Sequence, residues 1–161
     1  MAQNITLPRT VRNAPATINS YSMDDSLKLI ILQKHLSEIN QKYHHIDYGG
    51  CGTFSYYVSE ILDKHNIKNQ IVYLEEKEPP IGAFRCDIKF THILVKTEYC
   101  YIDVRGYYSL MPEPNSWLNN LKFLPKEKLG EMLNESRLWN NFFNEDKRKL
   151  LAEDLLKIEI K

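Results

Sequence analysis

The chain has 161 residues, a length that suits one compact domain with a sizeable hydrophobic core. Lysine and arginine together number 21, as do aspartate and glutamate, so the formal net charge is zero. This balance argues against the broad positive surface that binds nucleic acid or an anionic membrane, and we expect neither as a partner.

The cysteine pattern and the apolar runs restrict the class of protein further. Cys51, Cys86 and Cys100 are odd in number and widely spaced, which is not typical of a disulfide framework. No apolar run approaches the ~18–20 residues that a membrane-spanning helix needs. The first twenty residues also lack the apolar segment of a secretory signal. These features predict a cytoplasmic protein from a reducing compartment.

The first half of the chain predicts two helices. Residues 1–21 have no clear periodicity and are expected to form an extended or flexible arm before a single domain over 22–161. Apolar residues at helical spacing predict an amphipathic helix over roughly 24–43. A break over 47–50 separates it from a second helix over about 51–65.

Strands follow the two helices. The stretch "NQIVYLEE" predicts one strand, "FRCDIKF" is a candidate for another, and "THILVKTEYCYIDVRG" predicts two strands joined at Thr97–Glu98. "YYSLMPEPNSW" is loop-like. Helices return after Pro125, and the last runs over about 145–158, with its apolar side formed by Leu150, Leu151, Leu155 and Ile158. The predicted fold class is α+β, with a cysteine-bearing helix packed on a small antiparallel sheet and further C-terminal helices.

The predicted hairpin brings a histidine and an acid together. With Thr97 and Glu98 as its loop residues, His92 lies directly opposite Asp103, and Leu94 lies opposite Tyr101. Opposed Cβ atoms are ~4.5–5.5 Å apart, close enough for an imidazole to hydrogen-bond a carboxylate. The same register places Ile93, Val95, Cys100 and Ile102 together on the other, more apolar face.

The stretch "GGCGTFSYYVSEIL" places Cys51 at the start of the second helix. The partial positive charge of a helix N-terminus favours a thiolate, which is the reactive form of cysteine. Glycines before it allow a substrate backbone to approach. A nearby histidine would serve as the base, and an acid would orient that histidine.

Together with "THILV" and "YIDVRG", this stretch resembles the papain-like cysteine enzymes, most closely their transglutaminase-like and arylamine N-acetyltransferase-like branch. The resemblance covers about residues 45–108. It implies a papain-like or transglutaminase-like core in which Cys51 is the nucleophile, His92 the base and Asp103 the orienting acid.

We therefore expect a cysteine-dependent hydrolase, such as a protease, amidase or deamidase, that acts on a protein or peptide carbonyl through a thioester. Neither a metal nor another cofactor is expected. The predicted substrate-binding residues are Tyr48, Gly49, Gly50 and Arg105. Two other functions stay open: transglutaminase-like acyl transfer, and a non-catalytic effector or inhibitor that binds a partner protein.

Each candidate residue also has a purely structural interpretation. A lone cysteine is usually a small buried hydrophobe, and His92 or Asp103 alone would more often stabilise the sheet or its turn. The residues Tyr107, Tyr108 and Trp117 either line a groove or pack. The segment "NEDKRK" is expected to be the solvated start of the last helix.

Overall fold

A computed structural model describes residues 23–44, 46–75, 90–134 and 143–161, without the side chains of residues 47, 48, 90 and 91. The described chain forms four α-helices, which are α1 (Asp25–Lys42), α2 (Cys51–Lys64), α3 (Lys126–Asn134) and α4 (Glu145–Leu156). It forms five strands, which are β1 (Asn69–Glu75), β2 (Phe90–Thr97), β3 (Tyr101–Asp103), β4 (Gly106–Tyr108) and β5 (Leu121–Leu124). The strands make one antiparallel sheet in the order β4-β3-β2-β1-β5, so the α+β class is confirmed.

The two predicted N-terminal helices are present, and local capping explains their ends. The carboxylate of Asp24 accepts a hydrogen bond from the N–H of Ser26 at 3.3 Å, which starts α1. Helix α2 ends at Lys64, and two residues later Asn66 turns the chain away with a left-handed φ of 58°. The N–H of Ile67 then donates to the carbonyl of Leu62 at 2.9 Å, as expected for a helix that ends in this way.

The core lies on both faces of the sheet. Helix α2 contacts β1, β2, α3 and α4, and it therefore lies at the centre of the helical layer. The main cluster on this side includes Leu32, Phe54, Val58, Val95, Ile102 and Leu155. The opposite face is covered by a smaller cluster of Val72, Leu94, Tyr101, Tyr108 and Leu118. Burial on both faces explains the three consecutive apolar residues of β2, which are Ile93, Leu94 and Val95.

The predicted register of the β2–β3 hairpin is wrong by two residues. Tyr101 pairs with Lys96, where the prediction paired it with Leu94. Because the error is an even number of residues, every side chain stays on its predicted face. His92 and Asp103 are therefore diagonal neighbours on one face, where long side chains still reach each other.

The side chain of Thr97 explains the true register. Its hydroxyl accepts hydrogen bonds from the N–H groups of Tyr99 and Cys100, both at 3.0 Å. The N–H of Thr97 donates to the carbonyl of Cys100 at 2.9 Å, which leaves Glu98 and Tyr99 as the two loop residues. The hydroxyl of Thr97 thus folds back on the turn and stabilises it with Glu98 and Tyr99 in the loop positions.

Other predictions need correction in the second half of the chain. Strand β4 extends into the stretch that was predicted to be loop-like, and β5 lies in a part of the sequence for which no element was predicted. Helix α4 ends at Leu156 and not at 158; Leu150 is exposed, whereas Leu151, Leu155 and, just beyond the helix, Ile158 are buried as predicted. The candidate strand "FRCDIKF" lies outside the described residues, apart from its last residue, Phe90, which begins β2. None of the described helices is long and apolar enough to cross a membrane.

Candidate functional site

The carboxylate of Asp103 is fixed on both of its oxygens. Oδ1 accepts the backbone N–H groups of Arg105 and Gly106 at 2.8 and 3.1 Å. Oδ2 lies 2.8 Å from Nε2 of His92 and accepts the hydroxyl of Tyr108 at 3.0 Å. The side chain of Asp103 is 1% exposed, so these four bonds replace the water that a buried carboxylate would otherwise need.

His92 lies between Asp103 and Cys51. Its Nε2 lies 2.8 Å from Oδ2 of Asp103, and the side chain of Cys51 also interacts with the ring, because it contributes to the pKa of His92. Burial by itself lowers the pKa of His92, but the hydrogen bonds to Asp103 and Cys51, with the charges of both groups, raise it to about 9. The imidazole is therefore protonated at neutral pH.

Packing and an irregularity in β2 set the direction of the His92 ring. Trp117 packs against this ring edge-on, with centroids 5.7 Å apart and planes at 73°. The β1–β2 ladder slips by one residue beside His92, since Leu74 pairs with His92 but Glu75 pairs with Phe90. Such a bulge twists a strand locally and changes the direction of its side chains.

Cys51 is the first residue of α2, as predicted, and it lies in an apolar surrounding. The residue is 8% exposed and packs in a cluster with Ile71, Ile93, Leu124 and Leu129. A thiolate among apolar side chains is costly unless positive charges compensate it. His92 is one such charge.

Arg148 of α4 is a second positive charge near Cys51, and sequence reasoning missed it. This residue is 6% exposed, although its segment "NEDKRK" had been predicted to be solvated. Burial lowers the pKa of Arg148 to about 10, and the charges of Cys51 and Glu145 oppose this change. The helical spacing of Arg148 with the buried Leu151 and Leu155 is the signal that could have identified it.

The two glycines before Cys51 have different structural roles. Residues Ile46–Gly50 form a π-helical turn that leads directly into α2, where a break had been predicted. Gly49 has a φ of 122°, which side chains rarely allow. A Cβ on Gly50 would lie 3.1 Å from both Ile46 and Phe143, so close packing explains the glycine there. Their contact with substrate stays a prediction.

Two further residues, Arg105 and Tyr48, were predicted to bind substrate. Arg105 is exposed in the β3–β4 turn, where its backbone N–H braces Asp103. Tyr48 belongs to the π-helical turn, and its side chain lies outside the described part of the structure. Roles in substrate binding stay predictions for both residues.

A buried serine joins the helix that carries Cys51 to the strand that carries His92. Ser55 lies one helical turn after Cys51, and its hydroxyl donates to the carbonyl of Ile93 at 3.1 Å. Ile93 directly follows His92 in β2. This bond therefore links the backbone positions of Cys51 and His92.

The structure thus brings together Cys51, His92 and Asp103, and it adds Ser55, Tyr108, Trp117 and Arg148 around them. The thiol interacts with an imidazolium, and the imidazolium is hydrogen-bonded to a fixed carboxylate. These are the components of a nucleophile with its acid–base partner. Comparisons with models of protein families, with curated proteins and with solved structures find no match to this chain.

Proposed function

We propose that this protein is a cysteine-dependent hydrolase that attacks a protein or peptide carbonyl through Cys51, His92 and Asp103. One observation carries the proposal: His92 hydrogen-bonds Asp103 through Nε2, and the side chain of Cys51 interacts with the same ring and raises its pKa. A buried structural cysteine has no need of a cationic partner, whereas a nucleophilic thiolate does.

The reaction follows from these contacts. The thiolate sulfur of Cys51 forms a bond to the carbonyl carbon, and the carbonyl oxygen takes up the negative charge. His92 donates its proton to the departing amine as the carbon–nitrogen bond breaks, which leaves a thioester. The neutral imidazole then removes a proton from water, whose oxygen attacks the thioester. The carboxylic acid product leaves, and the thiolate and imidazolium are restored.

The protonation state of His92 supports the first half of this cycle. With a pKa raised to about 9, the imidazolium holds a proton for the leaving amine across the neutral range. Asp103 orients the ring and stabilises its positive charge, because both carboxylate oxygens are held by other groups. The burial of the pair strengthens the interaction by limiting its contact with water.

The arrangement of the elements also supports the papain-like or transglutaminase-like core that the sequence suggested. The cysteine lies at the start of a central helix, and the histidine and acid follow on neighbouring antiparallel strands in that chain order. The partner implied by this core is a protein or peptide substrate. We propose this relationship on the order and placement of three residues.

The first test is the rate at which iodoacetamide modifies each thiol, mapped by mass spectrometry. At pH 7 we expect Cys51 to react far faster than Cys100, a buried thiol whose pKa is raised to about 11 mainly by burial. His92→Ala should slow the reaction of Cys51 by about tenfold or more, because the thiolate loses its partner. If Cys51 reacts as slowly as Cys100, or equally fast in His92→Ala, the proposal fails.

A second test detects the thioester on Cys51. A peptide-carboxamide library is incubated with the protein, with and without hydroxylamine, and its products are identified by mass. Hydroxylamine attacks a thioester to give a hydroxamate, whereas water gives the acid. We expect acid without hydroxylamine and hydroxamate with it, and neither product from Cys51→Ala. Acid formation that persists in Cys51→Ala would show that the reaction does not use this thiol.

A further inference from the structure

One oxygen of Asp103 is shared between two donors. Oδ2 contacts Nε2 of His92 at 2.8 Å and accepts the hydroxyl of Tyr108 at 3.0 Å. Tyr108 is 6% exposed, so its hydroxyl meets the carboxylate away from bulk solvent. Two donors on one carboxylate oxygen divide its negative charge between them.

The ring of Tyr108 is held in place independently of this hydroxyl. Tyr108 lies at the end of β4 and pairs with Tyr101 across the sheet. Its ring packs edge-on against Trp117, with centroids 5.8 Å apart, and Trp117 in turn packs against His92. Removal of the hydroxyl alone therefore leaves the apolar contacts of the ring in place.

We propose that Tyr108 is a positioning residue that acts through Asp103. Its hydroxyl donates a hydrogen bond to Oδ2, and this bond limits how tightly the carboxylate holds the proton on His92. The inference rests on the proposed function, in which His92 must release this proton to the leaving amine. A carboxylate whose charge was directed at His92 alone would make the imidazolium a weaker acid. Tyr108 thereby keeps the proton available.

The charged groups around His92 come from several elements. Cys51 faces it from α2 and Asp103 from β3, whereas Trp117 is neutral. Arg148 acts on Cys51, and Arg105 acts on Tyr108. Burial, the charge of Asp103 and the hydrogen bond to it raise the pKa of Tyr108 well above its usual range, so the hydroxyl stays a donor. Tyr108→Phe changes none of these charges.

The neighbouring tyrosine provides a matched control. The hydroxyl of Tyr107 is also buried, and it donates to the carbonyl of Leu29 in α1 at 2.7 Å. Tyr107→Phe removes the same atom from the same short strand without touching Asp103. An effect that comes from a lost buried hydroxyl in general will appear in both variants, whereas an effect through Asp103 will appear only in Tyr108→Phe.

The test is the titration of His92, followed by NMR of the imidazole carbon-bound protons in the full-length chain. His92→Gln identifies its signal among those of the five histidines. We expect Tyr108→Phe to raise the midpoint on the order of 0.5 pH units, because Asp103 then holds the proton more tightly. Tyr107→Phe should leave the midpoint unchanged. An unchanged or lowered midpoint in Tyr108→Phe, or an equal shift in both variants, overturns the proposal.

A double-mutant comparison tests the route through Asp103. In an Asp103→Asn background, the further change Tyr108→Phe should no longer move the His92 midpoint. A shift that persists there shows that Tyr108 acts by another path and overturns the inference. Repeating the titrations in Cys51→Ala separates this result from the proposed function, because the Asp103 contacts remain and no reactive thiol is needed.

Discussion

Ser55→Ala removes the hydroxyl that links α2 to β2. The serine is fully buried, and its hydroxyl donates to the carbonyl of Ile93 at 3.1 Å. Cys51 lies one helical turn before Ser55, and His92 lies one residue before Ile93. Loss of this bond frees the two backbones to move relative to each other at the point where sulfur and imidazole meet.

The magnitude of this change follows from the burial of both partners. A buried hydrogen bond contributes about 0.5–1.5 kcal/mol net, and a buried carbonyl left without its donor costs about 1–3 kcal/mol. We therefore expect Ser55→Ala to lower the free energy of unfolding by about 1–3 kcal/mol, a modest fraction of the total for a domain of this size. Misplacement of the reactive groups should slow the modification of Cys51 by about tenfold or more.

Ser59→Ala is the matched control for this variant. Ser59 is also buried in α2, one turn further along, and its hydroxyl contacts the side-chain oxygen of Asn69 at 2.6 Å, at the start of β1. The Ser59→Ala variant therefore loses a comparable hydrogen bond between the same helix and the sheet, at a position away from His92. Urea unfolding measures stability for both variants, and iodoacetamide modification at pH 7 measures the reactivity of Cys51.

The expected result is a loss of stability in both variants and a slower reaction of Cys51 in Ser55→Ala alone. If Ser55→Ala reacts at the wild-type rate, the bond to Ile93 does not align the two groups. If Ser59→Ala slows the reaction equally, the effect is a general loosening of α2. Either result would refute the reasoning from this contact.

Three further predictions concern charge, pH and packing. Arg148→Met should slow the modification of Cys51 severalfold, because it removes a buried positive charge. Lys149→Met changes an exposed residue of the same helix and should leave the rate unchanged. Equal rates in the two variants would contradict a role for the charge of Arg148. Because the pKa of His92 is raised to about 9, its stabilising contribution is fully present below about pH 6.5 and is lost as the pH rises through 9. The stability difference between wild type and His92→Gln should therefore shrink by up to about 3 kcal/mol between pH 6 and 10 in urea unfolding, and a constant difference would count against the ion pair. Gly50→Ala should cost about 1–3 kcal/mol by the same measurement, since its Cβ would meet side chains at 3.1 Å, and an unchanged stability would show that they move away freely.

The comparison between sequence and structure is most instructive at the β2–β3 hairpin. The predicted pairing of His92 with Asp103 was wrong in register, yet the two side chains hydrogen-bond at 2.8 Å. Side chains alternate between the two faces of a strand, so that every second residue lies on the same face. An error of two residues therefore leaves each side chain on its face. The register itself depends on the hydroxyl of Thr97, whose contacts form only once the turn has folded.

Arg148 and Tyr108 show what a linear pattern leaves out. The helical spacing of Arg148 with Leu151 could have predicted its burial, but its proximity to Cys51 depends on how α4 packs across α2. The hydroxyl of Tyr108 reaches Asp103 because a short hairpin returns the chain five residues later. Neither contact follows from a local periodicity.

The sequence by itself determined the two N-terminal helices, the start of α2 at Cys51 and the shared face of His92 and Asp103. These features follow from the helical and strand periodicities and from capping, which act over a few residues. Only the tertiary structure decided that Cys51 and His92 interact, that Gly50 is a packing position and that Arg148 is buried where its charge acts on Cys51. Those outcomes depend on the packing of elements far apart in the chain, where small shifts in register or helix position decide which side chains touch.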